Sequence, residues 1–338
     1  MSKTTNVLLL TDLHLRSDYL PGFLDAQIST LLRLAESNKP DAVIINGDIF
    51  HKRNPRGPEL LAFQQLLEKL DCDDIYVNRG NHDTIRKDGT SDTTLSLYSD
   101  RATIITDAKT YRIGGVDFDF IPHYEEESKI LQCLKKSKNP VFGHFGFDGC
   151  VSNGTYEYES TVRKSHFKNK LAFLGHIHKP KVYNNIHVIG TQYSNTFGEA
   201  NAQKYFTRLL IRDGKIEIIR KPIDFGIRHI VGTLDEIEEL NKKYNFGNFY
   251  TLLRVRLDNL DSYAETSLFD EVMDKYPIRH LEFAFEDILP KFESTYEPDT
   301  QIFSLNDGVI EQYLAMRDSV FSKEELLESL TEIKTYEN

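Results

Sequence analysis

The chain has 338 residues, a formal net charge of −11, 40% hydrophobic residues and 28% charged residues. This length and composition predict a soluble globular protein with one large domain and smaller appendages. The acidic charge argues against a protein that coats nucleic acid by bulk electrostatics, but it leaves room for an enzyme whose metal ions or partner supply positive charge.

The N-terminal part alternates short apolar runs with helical patterns. Val7–Thr11, Ala42–Asn46 and Ile75–Asn78 are predicted to be buried strands, and the chain enters the first of them without the layout of a signal peptide. Phe23–Ser37 and Leu60–Leu70 carry apolar residues at helical spacing. This βαβ order predicts a layered α/β sheet.

Further along, turn residues mark hairpins. Gly114-Gly115 separates the strand-like runs Tyr111–Ile113 and Val116–Ile121, and Asp213-Gly214 separates two more, Phe206–Ile211 and Lys215–Arg220. Other short strands are predicted at Val141–His144, Leu171–Gly175 and Ile186–Ile189.

The composition changes near Pro222. A strand-like run at Phe249–Leu257, a helical pattern at Ser267–Tyr276 and a second strand-like run at Arg279–Phe285 predict a small α+β appendage.

A polar stretch punctuated by Pro290 and Pro298 follows the appendage. Beyond it, Gly308–Val320 and Lys323–Ile333 are predicted to be amphipathic helices. Such helices either pack on their own domain or dock on a partner; their place past a linker favours docking.

No apolar run approaches the ~18–20 residues that span a bilayer. The cysteines, Cys72, Cys133 and Cys150, lie far apart and form no C-x-x-C pair. We therefore expect no membrane span, no cysteine zinc site and a reducing, cytoplasmic compartment.

Polar motifs follow the predicted strands at their C-terminal ends, where open α/β sheets build their sites. In chain order they are Asp12-Leu13-His14, Gly47-Asp48, Gly80-Asn81-His82-Asp83, Gly143-His144 and Gly175-His176-Ile177-His178. Each motif alone has an ordinary structural explanation, such as a turn or surface histidines. Their joint occurrence, in order and each at a strand end, favours one shared site.

Histidines are unevenly distributed with respect to these motifs. Of the eleven histidines, six lie in or beside the motifs: His14, His51, His82, His144, His176 and His178. The others, which we interpret as structural, are His123, His166, His187, His229 and His280.

Carboxylate, amide and imidazole ligands together suit a pair of divalent ions such as manganese, iron or zinc better than magnesium alone. Two ions ~3.5–4 Å apart can clamp a phosphoryl group and make hydroxide available near neutral pH. The motifs therefore predict in-line hydrolysis of a phosphate ester with no covalent enzyme intermediate.

The ordered motifs resemble those of the calcineurin-like metallophosphoesterase superfamily, and within it the SbcD-type nucleases, especially phage recombination endonuclease subunits. The closer resemblance rests on Gly47-Asp48-Ile49-Phe50-His51, Val141–His144 with Phe145, and Gly175–His178 followed by Ile189-Gly190-Thr191-Gln192-Tyr193. The G-D-x-x-D-R-G motif of protein phosphatases is absent. The resemblance implies a four-layer α/β/β/α sandwich with a small α+β capping domain and C-terminal helices.

The resemblance also implies roles. The first metal would be bound by Asp12, His14, Asp48 and His178, and the second by Asp48, Asn81, His144 and His176, with Asp48 bridging. His82 would bind no metal and would serve as proton donor or transition-state stabiliser. Asp83 would orient His82, and His51 would position the scissile phosphate.

By the same resemblance, residues 1–224 would form the nuclease domain, 225–290 a DNA-capping domain, and 291–338 a linker with ATPase-binding helices. The implied cofactors are two divalent ions, Mn²⁺ or alternatively Mg²⁺, with ATP acting only through a partner. The implied partners are double-stranded DNA ends and an SMC-like, SbcC-type ATPase, with a homodimer inside a heterotetramer. The implied process is double-strand break repair and recombination.

Two basic runs could neutralise DNA phosphates. One contains Lys52, Arg53 and Arg56 beside the second motif, and the other, Arg163–Lys168, precedes the fifth motif. Each could equally be a solvated loop, although a loop beside the metals must lie near the substrate.

Two rival functions stay open. A phosphatase or small-molecule phosphodiesterase could use the same scaffold. A DNA-end scaffold without catalysis is the other, although every expected ligand is present.

Overall fold

The computed structural model describes residues 3–72, 74–86, 92–151, 157–257 and 267–285. The helices predicted at Gly308–Val320 and Lys323–Ile333, and the whole 291–338 segment, lie outside the described residues. Residues 1–288 form one compact unit.

Strands and helices follow one another along this unit. The strands are β1 (Thr5–Leu10), β2 (Ala42–Asn46), β3 (Asp74–Asn78), β4 (Thr103–Ile105), β5 (Lys109–Ile113), β6 (Val116–Ile121), β7 (Val141–His144), β8 (Cys150–Val151), β9 (Glu157–Tyr158), β10 (Ala172–Gly175), β11 (Lys181–Tyr183), β12 (Ile186–Val188), β13 (Tyr205–Arg212), β14 (Lys215–Pro222), β15 (Gly226–Thr233), β16 (Phe249–Leu257) and β17 (His280–Phe285). The α-helices are α1 (Phe23–Asn38), α2 (Gly57–Lys69), α3 (Glu127–Lys136), α4 (Ile237–Tyr244) and α5 (Ser267–Lys275).

Two six-stranded sheets form the body, in the orders β14-β13-β1-β2-β3-β4 and β11-β12-β10-β7-β6-β5. In the first sheet β1 to β4 run parallel, and β13 joins β1 in antiparallel register. In the second sheet β6, β7, β10 and β12 run parallel. The site motifs follow these parallel strands, so the strand order brings the motifs to one edge of the two sheets.

Alternating side chains of the strands fill two different cores. In β1, Leu8 and Leu10 pack in a cluster with α1 and α2, while Val7 and Leu9 face the second sheet. This is the period-2 alternation of a strand with both faces buried. The cluster between the sheets includes Phe142, and a third cluster joins the outer face of the second sheet to α3. The predicted α/β/β/α sandwich is therefore confirmed.

A third, smaller sheet has the order β15-β16-β17, with all strands parallel. Its hydrophobic cluster with α4 and α5 includes Ile230 and Leu253. On the other face, Ile227 and Leu252 join the cluster that contains α1, and the hydroxyl of Tyr250 donates a hydrogen bond of 2.6 Å to the carbonyl of Pro21. The sheet is thus seated on α1 of the body, and the boundary at residue 225 stays a prediction.

Within the described ranges, the helices are all too short or too polar to cross a membrane.

Candidate metal centre

Four of the predicted ligands have positive backbone φ angles. Asp12, His14, Asp48 and His176 have φ values of 52°, 45°, 53° and 77°, in the left-handed region that residues other than glycine seldom adopt and that is concentrated at functional sites. The amide of Asp12 donates to the carbonyl of Gly47 at 2.9 Å, and that of His14 donates to the carbonyl of Asp48 at 3.0 Å. The first and second motifs therefore hold each other in place.

Glycine is required where these turns meet. A Cβ at Gly47 would overlap the imidazole of His144, and a Cβ at Gly80 would overlap Asp48. These glycines of the second and third motifs therefore allow the ligand side chains to approach each other closely.

Asp12, His14 and His178 form a first group, in which the possible ligand atoms all lie within 4.8 Å of one another. The Nε2 atoms of His14 and His178 are 3.0 Å apart, and Nε2 of His178 lies 3.8 Å from Oδ1 of Asp12. The backbone amide of His176 donates to both oxygens of Asp12 at 3.1 Å, which fixes the carboxylate toward the group.

Asp48, His144 and His176 form a second group on the same distance criterion. Nε2 of His144 lies 3.3 Å from Oδ1 of Asp48, and Oδ1 of Asn81 lies 2.9 Å from Nδ1 of His176. The other oxygen of Asp48 is 3.7 Å from Nε2 of His14. Asp48 therefore faces both groups.

The donor atoms of this site fit divalent cations. Nδ1 of His144 donates to the carbonyl of Asn46 at 2.6 Å, so in the neutral ring Nε2 is a lone pair, and it is buried without a hydrogen-bond partner. Nδ1 of His178 lies 2.8 Å from Oε1 of Glu199, so the Nε2 lone pair of His178 faces the first group. Ring nitrogens that converge with carboxylates are stabilised by a positive charge between them, which a proton or a metal ion can supply.

The pKa shifts of the site residues also indicate a place for positive charge. Burial alone would lower the pKa of His144, but the carboxylates of Asp48 and Asp12 raise that pKa to about 10. Burial and the neighbouring His144 lower the pKa of His176 to about 3. Burial opposes ionisation of Asp48, yet His144 and His14 hold the pKa of its carboxyl well below the usual value. The carboxylates thus favour positive charge beside them.

His82 forms a third group with His14 and Asp48 on the same distance criterion. Its backbone amide donates to Oδ1 of Asp48 at 2.8 Å, and its ring Nδ1 lies 2.6 Å from the carbonyl oxygen of His51. The ring of His51 is half-buried and stacks on that of His82 with centroids 6.2 Å apart. The backbone of His51 therefore sets the orientation of His82.

Asp83 differs from the expectation that it orients the imidazole of His82. Its carboxylate accepts from the backbone amides of Asp48 at 2.9 Å, Ile49 at 2.9 Å and Gly80 at 2.8 Å. Burial and Asp48 raise the pKa of Asp83 to about 6. Asp83 thus fastens the second motif to the third, and it acts on His82 only through the backbone.

The first basic run lies beside the site and is largely paired. Lys52 and Arg56 both face Asp18, the second at 3.8 Å. Arg53 contacts the hydroxyl of Thr84, which directly follows the third motif, and lies 3.3 Å from Glu125. Arg53 therefore supports the loop, whereas Lys52 and Arg56 keep more than half of their side-chain surface exposed, at 57% and 62%.

The second basic run makes local contacts. It forms the 3₁₀ turn Lys164–Phe167, in which Nδ1 of His166 accepts from the amide of Arg163 at 2.9 Å. Lys164 lies 5.0 Å from the ring centroid of Tyr183.

Sequence motifs missed several residues that the fold brings to the site. Glu199 contacts His178. Burial would raise the pKa of the Glu199 carboxyl, but Lys204 and His178 hold that pKa far below its usual value. His123, interpreted as structural, stacks on His176 with centroids 6.3 Å apart, and both of its ring nitrogens are buried without a hydrogen-bond partner. Glu199 and Lys204 follow no strand in such a pattern, so only the fold reveals them. His123 lies two residues after β6, as Asp12 does after β1, so its position at a strand end could have indicated it.

The calcineurin-like phosphoesterase family matches residues 5–180. The chain therefore belongs to the calcineurin-like phosphoesterases, which are metal-dependent hydrolases of phosphate esters.

One known relative is a repair protein. Over 105 residues the chain is 31% identical to the DNA double-strand break repair protein Mre11 of Methanocaldococcus jannaschii, a match that covers 30% of this chain and 28% of that protein. The match thus spans less than a third of the relative's length.

Solved structures of similar fold include purple acid phosphatase PPD1 from yellow lupin, with 13% identity, a TM-score of 0.44, and coverage of 66% of this chain and 52% of that one. Nuclease MPE of Pseudomonas putida has 21% identity, a TM-score of 0.30, and coverage of 45% and 67%. At these identities the similarity concerns the fold alone.

Proposed function

We propose that this chain is a two-metal DNA nuclease that works with an SMC-like, SbcC-type ATPase in double-strand break processing and recombination. The observation that supports the proposal is the meeting of the predicted ligands in two adjacent groups, with Asp48 a member of the second and facing His14 of the first. The similarity of part of the chain to a protein named for DNA double-strand break repair supports DNA as the substrate.

In this proposal the first ion is held by Asp12, His14, Asp48 and His178, and the second by Asp48, Asn81, His144 and His176. When bound, the two ions would activate water and offset the negative charge of the phosphate. The mixture of carboxylate, amide and imidazole donors supports manganese, with magnesium as the alternative.

His82 is the proposed proton donor to the leaving oxygen. Its Nδ1 holds a proton against the carbonyl of His51 at 2.6 Å, because a carbonyl can only accept. A second proton at Nε2 is then the one that can be transferred, and its loss leaves a neutral ring that stays oriented. His51 carries the carbonyl that fixes this geometry, and its own ring is proposed to help position the scissile phosphate.

Lys52 and Arg56 are the proposed phosphate contacts of the basic loop, because both are exposed and lie on the chain segment that leaves His51. Arg53 was predicted with them. Its contacts with Thr84 and Glu125 support a positioning role for the loop in addition to any phosphate contact.

The proposed partners are double-stranded DNA ends and the ATPase, with two copies of this chain in a heterotetramer and ATP acting only through the partner. Residues 225–290, which include β15 to β17, are the proposed DNA-capping domain. Residues 291–338 are the proposed ATPase-binding segment. These assignments rest on the family resemblance of the chain.

The test is to purify the chain with and without its candidate ATPase and to measure two hydrolysis rates in manganese, with and without ATP. One substrate is an end-labelled linear duplex, and the others are p-nitrophenyl phosphate esters. We expect cleavage of the duplex, stimulated by the ATPase and ATP, with weak turnover of the small esters. Efficient ester hydrolysis without duplex cleavage would favour a phosphatase or small-molecule phosphodiesterase. No hydrolysis of either substrate by metal-loaded protein would favour a non-catalytic scaffold.

A further inference from the structure

A buried network outside the sequence motifs contacts the first ligand group. Glu199 and Lys204 are each only 5% exposed and Thr191 is fully buried. Lys204 forms an ion pair with Oε2 of Glu199 and donates to the hydroxyl of Thr191 at 2.6 Å. That hydroxyl donates to Oε2 of Glu199 at 3.0 Å. A charged pair so deeply buried stabilises little by itself, since both charges lose their hydration.

The two carboxylate oxygens of Glu199 contact different partners. Oε2 is occupied by Lys204 and Thr191, while Oε1 lies 2.8 Å from Nδ1 of His178. An ionised carboxylate only accepts, so Nδ1 of His178 carries the proton and Nε2 is the lone pair. This Nε2 is the atom that lies 3.0 Å from Nε2 of His14 and 3.8 Å from Asp12. Glu199 thereby fixes both the tautomer and the direction of the ring.

The segment that carries Glu199 is tied to the third sheet. Before Glu199, the amide of His229 in β15 donates to the hydroxyl of Ser194 at 3.0 Å. After Glu199, the amide of Asn201 donates to the carbonyl of His229 at 3.1 Å, and its side chain donates to the carbonyl of Val231 at 2.7 Å. Strand β15 therefore holds this segment on both sides of Glu199.

We propose that Glu199, charge-balanced by Lys204 and anchored to β15 through Asn201, is a positioning residue that sets the metal affinity of the first ligand group through His178. The inference rests on the proposed two-metal site and adds a residue set, and a link to the third sheet, that the motifs do not contain. A carboxylate bonded to the far nitrogen of a metal-binding histidine orients the ring and raises its basicity, and loss of such a partner weakens metal affinity ~10–100-fold.

The test is a calorimetric titration of the full chain with Mn²⁺, fitted to two sites, for wild type, Glu199→Gln and Asn201→Ala. Glutamine keeps the shape but lacks the charge, and it can present an amide N–H to His178 or Lys204. We expect Glu199→Gln to weaken one of the two sites at least tenfold and to leave the other within about twofold. We expect Asn201→Ala to weaken the same site by a smaller factor.

Glu127→Gln is the matched control, because Glu127 also accepts several hydrogen bonds, from Ser160 and Thr161, but touches no proposed ligand. It should cost stability without changing either Mn²⁺ affinity. Equal weakening of both sites, or a loss below tenfold in Glu199→Gln, overturns the inference. If Glu199→Gln does not fold, unchanged affinities in Asn201→Ala overturn it instead. Failure of wild type to bind two ions would overturn the proposed function itself, so the two failures are distinguishable.

Discussion

Replacing His82 by serine separates catalysis from metal binding. The bond from residue 82 to Asp48 uses the backbone amide, at 2.8 Å from Oδ1, and serine retains that amide. The imidazole contributes the contact with the carbonyl of His51 at 2.6 Å. We therefore expect His82→Ser to keep both ions and to lose only the hydrogen bond and the proton donation of the imidazole ring.

The magnitudes follow from these contacts. Losing one hydrogen bond of a half-buried ring costs about 1 kcal/mol of folding free energy, which leaves the protein folded. Losing a positioned general acid slows cleavage at least ~10²-fold, or roughly 2.7 kcal/mol in the activation free energy. The catalytic loss is thus larger than the loss of stability.

The assay is single-turnover cleavage of an end-labelled duplex at saturating Mn²⁺, with bound manganese counted by elemental analysis. His187→Ser is the matched control, because His187 is a partly buried histidine on β12 whose ring packs against Phe173 at 5.5 Å and touches no ligand. Release of an ion from His82→Ser would show that His82 is a ligand. A cleavage rate equal to that of the control would refute its role as proton donor.

Two other predictions concern DNA and the partner. The double variant Lys52→Gln, Arg56→Gln should bind duplexes of all sequences more weakly. The slope of the logarithm of the binding constant against the logarithm of the salt concentration should fall by about one unit per lost phosphate contact. Fluorescence anisotropy at several salt concentrations measures this slope, and an unchanged slope would favour a solvated loop. Truncation after Pro298 should leave a folded, metal-loaded protein with basal cleavage that no longer co-purifies with the ATPase or responds to ATP. A markedly lower thermal midpoint and aggregation would instead indicate helices that pack on this chain.

The parts of the fold that were predictable have strong local patterns. Strand β1 is apolar on both faces because it lies between two cores, so its continuous run was informative. Helix α3 was missed because only Ile130 and Leu134 of its residues are buried. Strand β15 was missed because it buries two polar residues, Arg228 and His229. Arg228 packs against the rings of Tyr244 and Phe249. His229 lies within hydrogen-bond distance of the hydroxyl of Tyr19.

The site shows the same division. Its motif residues could be found because each follows a parallel strand, and parallel strands end at a common edge. Glu199 lies 21 residues beyond His178 and is brought to it by a long excursion of the chain. Asp18, which pairs with Lys52, is 34 residues away in sequence. Such contacts depend on tertiary structure, so local spacing does not reveal them.

Asp48 is the residue on which two-metal binding most directly depends, because its oxygens lie 3.3 Å from Nε2 of His144 and 3.7 Å from Nε2 of His14. The decisive measurement is bound manganese per chain together with duplex cleavage, for wild type, Asp48→Asn and the exposed control Asp117→Asn, which pairs only with Arg112 at 2.9 Å among the described ion pairs. We expect about two ions and cleavage in wild type and control. Asp48→Asn should lose both manganese and cleavage, with an unchanged circular dichroism spectrum. Full cleavage by Asp48→Asn, or a wild type that cuts DNA with a single bound ion, would contradict the two-metal mechanism.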